Sequence, residues 1–263
     1  MAKYWAVFKI HLQEVFEYRM EFLGHMMLGL ISLLIMYFIW LAVFKDRQYF
    51  GSYTFSSMMT YLVMVRFLHF VKRSSVGRRM ADEIKEGGLS DYLLRPVSYL
   101  RWQLSSFLAE RFFELILRVL MLFVFLYFFP RTFNFPGFSR FLTVIVFLTI
   151  SLFLNFLINV LIAVMAFFVT DVRLFHSTIL MIFDFLAGSL LPIDLMPDFI
   201  KKIGLILPFQ FWIYFPIKIY QGSLSSDEIS KGLVLCFVWI FILFFSARYL
   251  WRKGIKNYEA IGQ

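Results

Sequence analysis

The sequence predicts an all-α membrane protein. Six transmembrane helices are expected, preceded by an interfacial helix. A cytoplasmic helical segment joins spans two and three, and a re-entrant helical hairpin on the outer side joins spans five and six. Three observations lead there. Of the 263 residues, 61% are hydrophobic and the mean hydropathy is +0.77, which leaves too little polar surface to coat a soluble domain of this length. Several apolar stretches reach the ~20 residues that a helix needs to cross a bilayer. One polar, basic island, Lys72 to Arg101, stands between the second and third of them. The formal net charge of +9 then belongs to cytoplasmic loops beside anionic lipid. No basic run interleaved with aromatics lies outside the spans, which argues against a nucleic-acid partner.

All 263 residues are expected to form one transmembrane domain. Residues 1–21 read as an amphipathic helix. Trp5, Phe8, Leu12, Val15 and Phe16 recur at helical spacing, while Lys9, Gln13, Glu14, Glu17 and Glu21 fall mostly elsewhere on the wheel. Such a helix either lies in the interface plane or simply leads into the membrane. The spans follow at Phe22–Phe44, Tyr53–Val71, Phe107–Phe129, Phe141–Val169, Leu174–Leu191 and Gly232–Leu250. The stretch 192–222 is apolar but broken by Pro192, Pro197, Pro208 and Pro216. Each proline removes a backbone donor and disfavours helix just before it. The pieces Asp198–Leu207 and Phe209–Ile219 are too short to span. They either dip into the outer leaflet and return, or lie flat on the outer surface.

Orientation follows from lysines and arginines in the connections. With the N-terminus inside, the internal segments carry the larger share, and Lys72, Arg73, Arg78, Arg79, Lys85, Arg95 and Arg101 contribute most of the asymmetry. Both termini are therefore expected in the cytoplasm. The first apolar stretch is too long for a signal peptide and no small-residue cleavage site follows it. Cys236 is the single cysteine, so no intrachain disulfide is expected.

Within the island, 72–101, Val76–Glu86 suits a helix. Gly87-Gly88 ends it, because glycine takes the left-handed cap conformation without Cβ strain. Ser90 is placed to cap a short helix Asp91–Leu94, and Pro96 stops it. Tyr92, Leu93 and Leu94 put apolar side chains on an otherwise charged element. That pattern fits a groove on a cytosolic partner, or else a solvated loop that only sets topology.

Ionisable groups inside spans are costly and mark candidate functional positions. Asp184 falls near the middle of span five and Arg66 nearer the cytoplasmic end of span two. At ~1.5 Å rise per residue they differ by roughly 7–8 Å in depth, within reach of an arginine. They are expected to pair or to line a common path, with snorkelling to head groups the alternative for Arg66. Glu110, Arg111, Glu114 and Arg118 sit at helical neighbour spacing and read as a structural ion ladder. Asn155 and Asn159 share a helix face and read as hydrogen-bonding glue between helices. His11, His25, His69 and His176 are scattered, without metal-ligand spacing, and no nucleophile has a base at hand. Neither a metal site nor a catalytic centre is expected.

Several segments together resemble the membrane subunit of ABC-2-type exporters. They are Asp82-Glu83-Ile84-Lys85-Glu86-Gly87-Gly88-Leu89-Ser90-Asp91-Tyr92-Leu93-Leu94-Arg95-Pro96, the opening Tyr4–Tyr18 with Glu17-Tyr18-Arg19, the proline-marked stretch from Leu191-Pro192 to Gln221-Gly222, and the tail Trp251–Gly262. The resemblance covers essentially the whole chain. It implies a pair of permeases, identical or paralogous, around a central path. It also implies a coupling helix resting on an ABC ATPase, in two copies, with Asp82, Glu83, Lys85, Gly87, Gly88, Tyr92, Leu93, Arg95 and Pro96 as the contact. No Gly-x-x-x-x-Gly-Lys-Ser/Thr loop occurs in the chain. ATP and Mg are therefore expected on the partner and no cofactor on this subunit, which is not itself expected to be an enzyme. The aromatic, weakly charged spans suit an amphipathic cargo such as a drug, lipid or glycolipid, moved outward across a bacterial cytoplasmic membrane. Two other classes fit the residues: a gradient-driven carrier using Asp184, and a membrane scaffold that transports nothing.

Overall fold

The computed structural model describes residues 2–17, 19–72, 74–94, 96–128, 136–169, 172–256 and 258. Arg95, Asn257, residues 259–263 and the side chain of Leu93 lie outside the described set. Among the described residues the chain is helical without strands. Eleven α-helices occur in order: α1 (Ala2–Glu17), α2 (Arg19–Val43), α3 (Phe55–Lys72), α4 (Val76–Lys85), α5 (Leu89–Leu93), α6 (Tyr99–Phe128), α7 (Phe138–Val164), α8 (Val172–Leu186), α9 (Asp198–Ile206), α10 (Tyr214–Gln221) and α11 (Ser226–Lys256). Short 3-10 turns lie at Met165–Phe167, Ile193–Leu195 and Pro208–Trp212.

Among the described residues two segments, Phe138–Phe167 and Ser226–Lys256, each contain a stretch long and apolar enough to cross a membrane. The other candidates fall short for separate reasons. α3 carries Arg66 and His69, α6 carries Glu110, Arg111, Glu114 and Arg118 along its middle, and α8 has 15 residues. At 1.5 Å per residue α8 covers about 22 Å against a ~30 Å hydrocarbon core. It stops at Leu186 rather than at Leu191, because the chain turns sharply at Gly188, where φ is +83°. A Cβ there would sit 2.8 Å from the Tyr61 hydroxyl and 3.2 Å from Tyr214 Cβ. Only glycine fits both the backbone angle and the space.

α7 is the central mast. It packs lengthwise on α11 and also meets α4, α10 and α3. Its buried residues run from Val144 to Val164. Two apolar clusters form on it. The larger joins Met58, Tyr61 and Leu68 of α3 to Phe147, Leu154 and Ile158 of α7 and to Phe211, Trp212 and Ile217 further along. The smaller joins Val76, Met80, Ala81 and Ile84 of α4 to Phe156, Val160 and Ala163 of α7. The outward faces of α2 and α11 remain apolar, with Leu28, Ile31 and Phe38 on one and Phe237, Phe241 and Phe245 on the other exposed. A long helix with apolar residues on its outward face has lipid as its natural solvent.

The segment from Ile193 to Gln221 folds back over one end of the bundle as a 3-10 turn, α9, a second 3-10 turn and α10. α9 corresponds to the first of the two short pieces read from the prolines, whereas the second, Phe209–Ile219, is divided at Ile213 into a 3-10 turn and α10. Pro197 precedes α9 and Pro208 opens the next turn, which carries φ ≈ −65° without needing an N–H. At the other end of α3 stand α4 and α5, a foot below the bundle. α1 packs along α6, with Val7 buried, Phe8 against Phe112 and His11 edge-on to Trp102.

Candidate functional site

The foot is built from an amphipathic helix and a tight corner. Along α4, Val76, Met80, Ala81 and Ile84 fall on one side and are buried against α7 and the turn Met165–Phe167. Arg78 and Glu86 face outward, and Asp82 and Lys85 are half-buried. Gly87 takes φ +86°, the left-handed geometry that reverses the chain. Gly88, not Ser90, then occupies the cap position of α5. The Ser90 hydroxyl instead donates back to the Gly87 carbonyl, so Ser90 stabilises the corner and not the helix start. Leu89 is buried, whereas Asp91 and Pro96 are exposed and Leu94 is 86% exposed.

Two polar knots fix the foot to α6. In the first, the Glu83 carboxylate accepts hydrogen bonds from the Tyr99 hydroxyl and from Gln103 Nε2, the latter at 2.8 Å. Burial pushes the Glu83 carboxyl above its ordinary range, while the Tyr99 hydrogen bond and the Arg79 charge pull against that shift. Burial and the facing Glu83 charge likewise push the Tyr99 phenol up. In the second, Glu110 accepts from the Ser75 hydroxyl at 2.5 Å and lies 3.4 Å from both Arg79 and Arg111. Arg111 pairs with Glu114 at 2.7 Å, both buried. The ladder expected along α6 thus reaches sideways and ties down the start of α4.

A run of rings backs these knots. Tyr92 sits edge-on to Tyr99 at 5.3 Å and to Trp102 at 5.6 Å, and Tyr99 stacks on Trp251 at 5.3 Å. Phe167 meets both Trp251 and Tyr258. The C-terminal end of α11 and the foot therefore share one aromatic wall.

Higher in the bundle, the Arg66 guanidinium donates to Ser32 Oγ of α2 and lies within the electrostatic reach of Asp184 on α8. Asp184 itself accepts from the Ser189 hydroxyl. The structure therefore brings Arg66 and Asp184 into one field and gives each a hydroxyl partner. Asn155 and Asn159 are both buried on α7, where the Asn159 amide donates to Asn155 of the same helix at 2.9 and 3.0 Å.

At the cap end a third polar group appears that the sequence reading did not single out. Lys218 Nζ is 2.8 Å from Asp194 Oδ2, and the Tyr53 hydroxyl donates to Asp194 Oδ1 at 3.0 Å. Nearby, Tyr61 donates to the Gly188 carbonyl at 2.7 Å and Gln221 Nε2 to the Ser57 carbonyl at 2.9 Å. No local pattern marks it in the sequence: Tyr53 precedes α3, Ser57 takes part through its backbone carbonyl, and the partners of Tyr53, Ser57 and Tyr61 lie 127 to 164 residues away.

The family model described as ABC-2 family transporter protein matches residues 30–262. The chain belongs to the ABC-2 transporter family. No curated protein matches it. An ABC-2 chain is the membrane component of an ABC transporter and works with an ABC ATPase partner. The match takes in the foot, the Arg66–Asp184 region and the cap, and it begins beyond α1. For this ABC-2 chain the exposed face of the foot is Arg78, Glu86, Asp91, Leu94 and Pro96. Of the coupling residues read from the sequence, Pro96 is exposed, Asp82, Lys85, Gly87 and Gly88 are half-buried, and Glu83 and Tyr92 turn inward onto α6.

Proposed function

We propose that this chain is one of two permeases of an ABC exporter, with the foot as the coupling element on which the ATPase bears. The observation that supports this most is the two-sidedness of the foot. Its apolar side is packed into the bundle and braced by Glu83 and Glu110, while its far side offers Leu94 and Asp91 to a partner. An apolar side chain as exposed as Leu94, on a helix tip with charged flanks, suits a groove on another protein. A foot so braced moves as a unit with α6 and α7, so a push on it becomes a rigid-body tilt of the bundle.

In this reading six spans cross a bacterial cytoplasmic membrane with both termini inside. Two ATPase copies carry ATP and Mg, this subunit hydrolyses nothing, and the coupling contact includes Asp82, Lys85, Gly87, Gly88, Leu93, Arg95 and Pro96 beside Leu94. Glu83 and Tyr92 act as positioning residues. Arg66 and Asp184 line the path of an amphipathic cargo, because the surrounding walls are aromatic and aliphatic.

The test is co-purification of the tagged full chain from its native membrane, with ATP hydrolysis measured in lipid nanodiscs. The expected result is an ATPase that elutes with the chain and is lost on Leu94→Glu. A chain that elutes without ATPase activity, or that keeps it undiminished with Leu94→Glu, overturns the proposal.

A further inference from the structure

One face of α11 changes character along its length. At ~3.6 residues per turn, Val234, Phe241 and Phe245 fall in one exposed stripe. Arg248, Arg252 and Lys256 continue the same stripe towards the foot, with Tyr249 at the join, and all four are exposed. The opposite face is buried at Cys236, Leu243, Ala247 and Gly254. The apolar part, from Val234 to Phe245, covers roughly 17 Å at ~1.5 Å per residue. That is close to one leaflet's ~15 Å share of the hydrocarbon core.

Neither the helix end nor membrane topology explains the basic part. A helix C-terminus favours cations in its last turn, where Lys253 and Lys256 stand, but Arg248 and Arg252 precede that turn. A topology signal needs only positive charge on the right side of the membrane. It does not require cations in line beneath a lipid-facing stripe. Nor do these groups serve the fold by pairing. Among the described residues none of Arg248, Arg252, Lys253 and Lys256 has an ion-pair partner, whereas Lys231 at the other end of α11 is held by Asp227 at 2.6 Å. No acidic residue follows Glu228 within α11.

An apolar strip one leaflet long that ends in a cationic cluster matches both parts of one ligand. Acyl chains fit along the phenylalanines, and a phosphate fits between the arginines, whose planar forks donate two bonds to such a group. Tyrosine at the join suits head-group depth. We infer that this face binds an anionic phospholipid of the leaflet on the foot's side, with its phosphate held by Arg248 and Arg252 and its charge further balanced by Lys256. The inner face of the same turns stacks Trp251 on Tyr99, which holds Glu83, and brings Gly254 against Phe167. A bound lipid therefore steadies the wall on which the foot leans. The site itself does not depend on the exporter function proposed above.

The test is native mass spectrometry of the full chain released from nanodiscs of equal phosphatidylglycerol and phosphatidylcholine, with retained lipids identified by mass. Phosphatidylglycerol should be retained at least tenfold over phosphatidylcholine. Each cation at the membrane surface strengthens anionic-lipid binding roughly fivefold, so Arg248→Gln with Arg252→Gln should abolish that preference. Lys202→Gln with Lys231→Gln removes the same charge at the other end of the molecule and should leave it intact. Should the arginine pair lower the melting temperature, Arg252→Gln alone decides, with a roughly fivefold loss expected. Millimolar inorganic phosphate should not displace the lipid. An arginine variant with unchanged preference overturns the site, and then any loss of the ATPase or of a second copy marks the face as a protein contact. Equal loss in the lysine control overturns it as an effect of net charge, and displacement by phosphate overturns it as a site for a free anion. Retention is read without ATP, so a chain that supports no ATP hydrolysis counts against the exporter function and not against the lipid site.

Discussion

Glu83 shows how a residue placed on a charged loop becomes part of a joint. Its carboxylate holds Tyr99 and Gln103 in place, and losing that acceptor leaves two donors on buried residues without it. Glu83→Ala should cost about 1–3 kcal/mol, read as a lower unfolding temperature in detergent, while Glu83→Gln, which keeps an acceptor for Tyr99, should cost less. The pH response follows from the upward shift that burial imposes on this group. A carboxyl with a raised folded-state pKa binds more protons folded than unfolded, so stability falls as pH rises through the window that opens near ~4.3 and closes at the folded value. Glu83→Gln should remove that slope from a thermal-melt series against pH, and an unchanged slope would place it elsewhere. Asp194 and Lys218 follow a different rule. Removing one charge strands the other, so Asp194→Asn alone should cost roughly 3–5 kcal/mol. The double variant with Lys218→Met should recover much of that loss in the same melt. A double variant worse than the single would contradict it.

At the level of elements, the corner between α4 and α5 depends on one glycine of its pair. Gly87 has φ +86°, where a Cβ costs about 1–2 kcal/mol. Gly88 has φ −61°, and a Cβ there would meet nothing nearer than 3.8 Å. Gly87→Ala should therefore loosen the foot and reduce ATPase retention, whereas Gly88→Ala should leave both retention and melting temperature close to the parent. Equal effects of the two would mean that the corner does not set the foot's position. α4 itself illustrates why an amphipathic helix is a good lever. Its apolar stripe is interlocked with α7 at Val160, Ala163 and Val164, and close-packed interiors shift between arrangements instead of deforming smoothly.

Across the whole molecule, α3 is the element that links cap and foot. It meets the cap at one end through Met58 and Tyr61, carries Arg66 in its lower half, and connects to the foot at the other. Arg66 feels the charge of Asp184 on α8, so the two should be coupled energetically. In a double-mutant cycle of Arg66→Gln and Asp184→Asn, transport losses should be non-additive by about 0.5–3 kcal/mol. Simple additivity would show that the two groups act separately. Packing holds this bundle together in a way that differs from a soluble core. Lipid tails are as apolar as leucine, so helix association rests on close fit and on buried polar bonds. Buried polar bonds inside the bundle, such as Tyr61 to the Gly188 carbonyl and Arg111 to Glu114, therefore carry a larger share of the architecture than similar groups would in water.

Much of this was legible from the chain alone. Apolar period and length marked the long helices, Gly87-Gly88 marked the corner, and four prolines marked the cap, because each of these is a local property of backbone geometry or side-chain polarity. The family resemblance read from the foot, the cap and the tail agrees with the match over residues 30–262. What the chain could not state is which charged residues look outward. Glu83 is as polar in sequence as Asp91, but the packing of α4 on α7 and its bonds to Tyr99 and Gln103 of α6 turn it inward. The early end of α8 at Leu186 depends on Gly188 lying under Tyr61 and Tyr214, residues far away in sequence. The pairing of Tyr53 with Asp194, 141 residues apart, exists only once the cap has folded back over the start of α3, and that of Asp194 with Lys218 only once the cap has folded on itself. Local polarity fixes where helices run, whereas a polar contact between distant segments is decided by their docking.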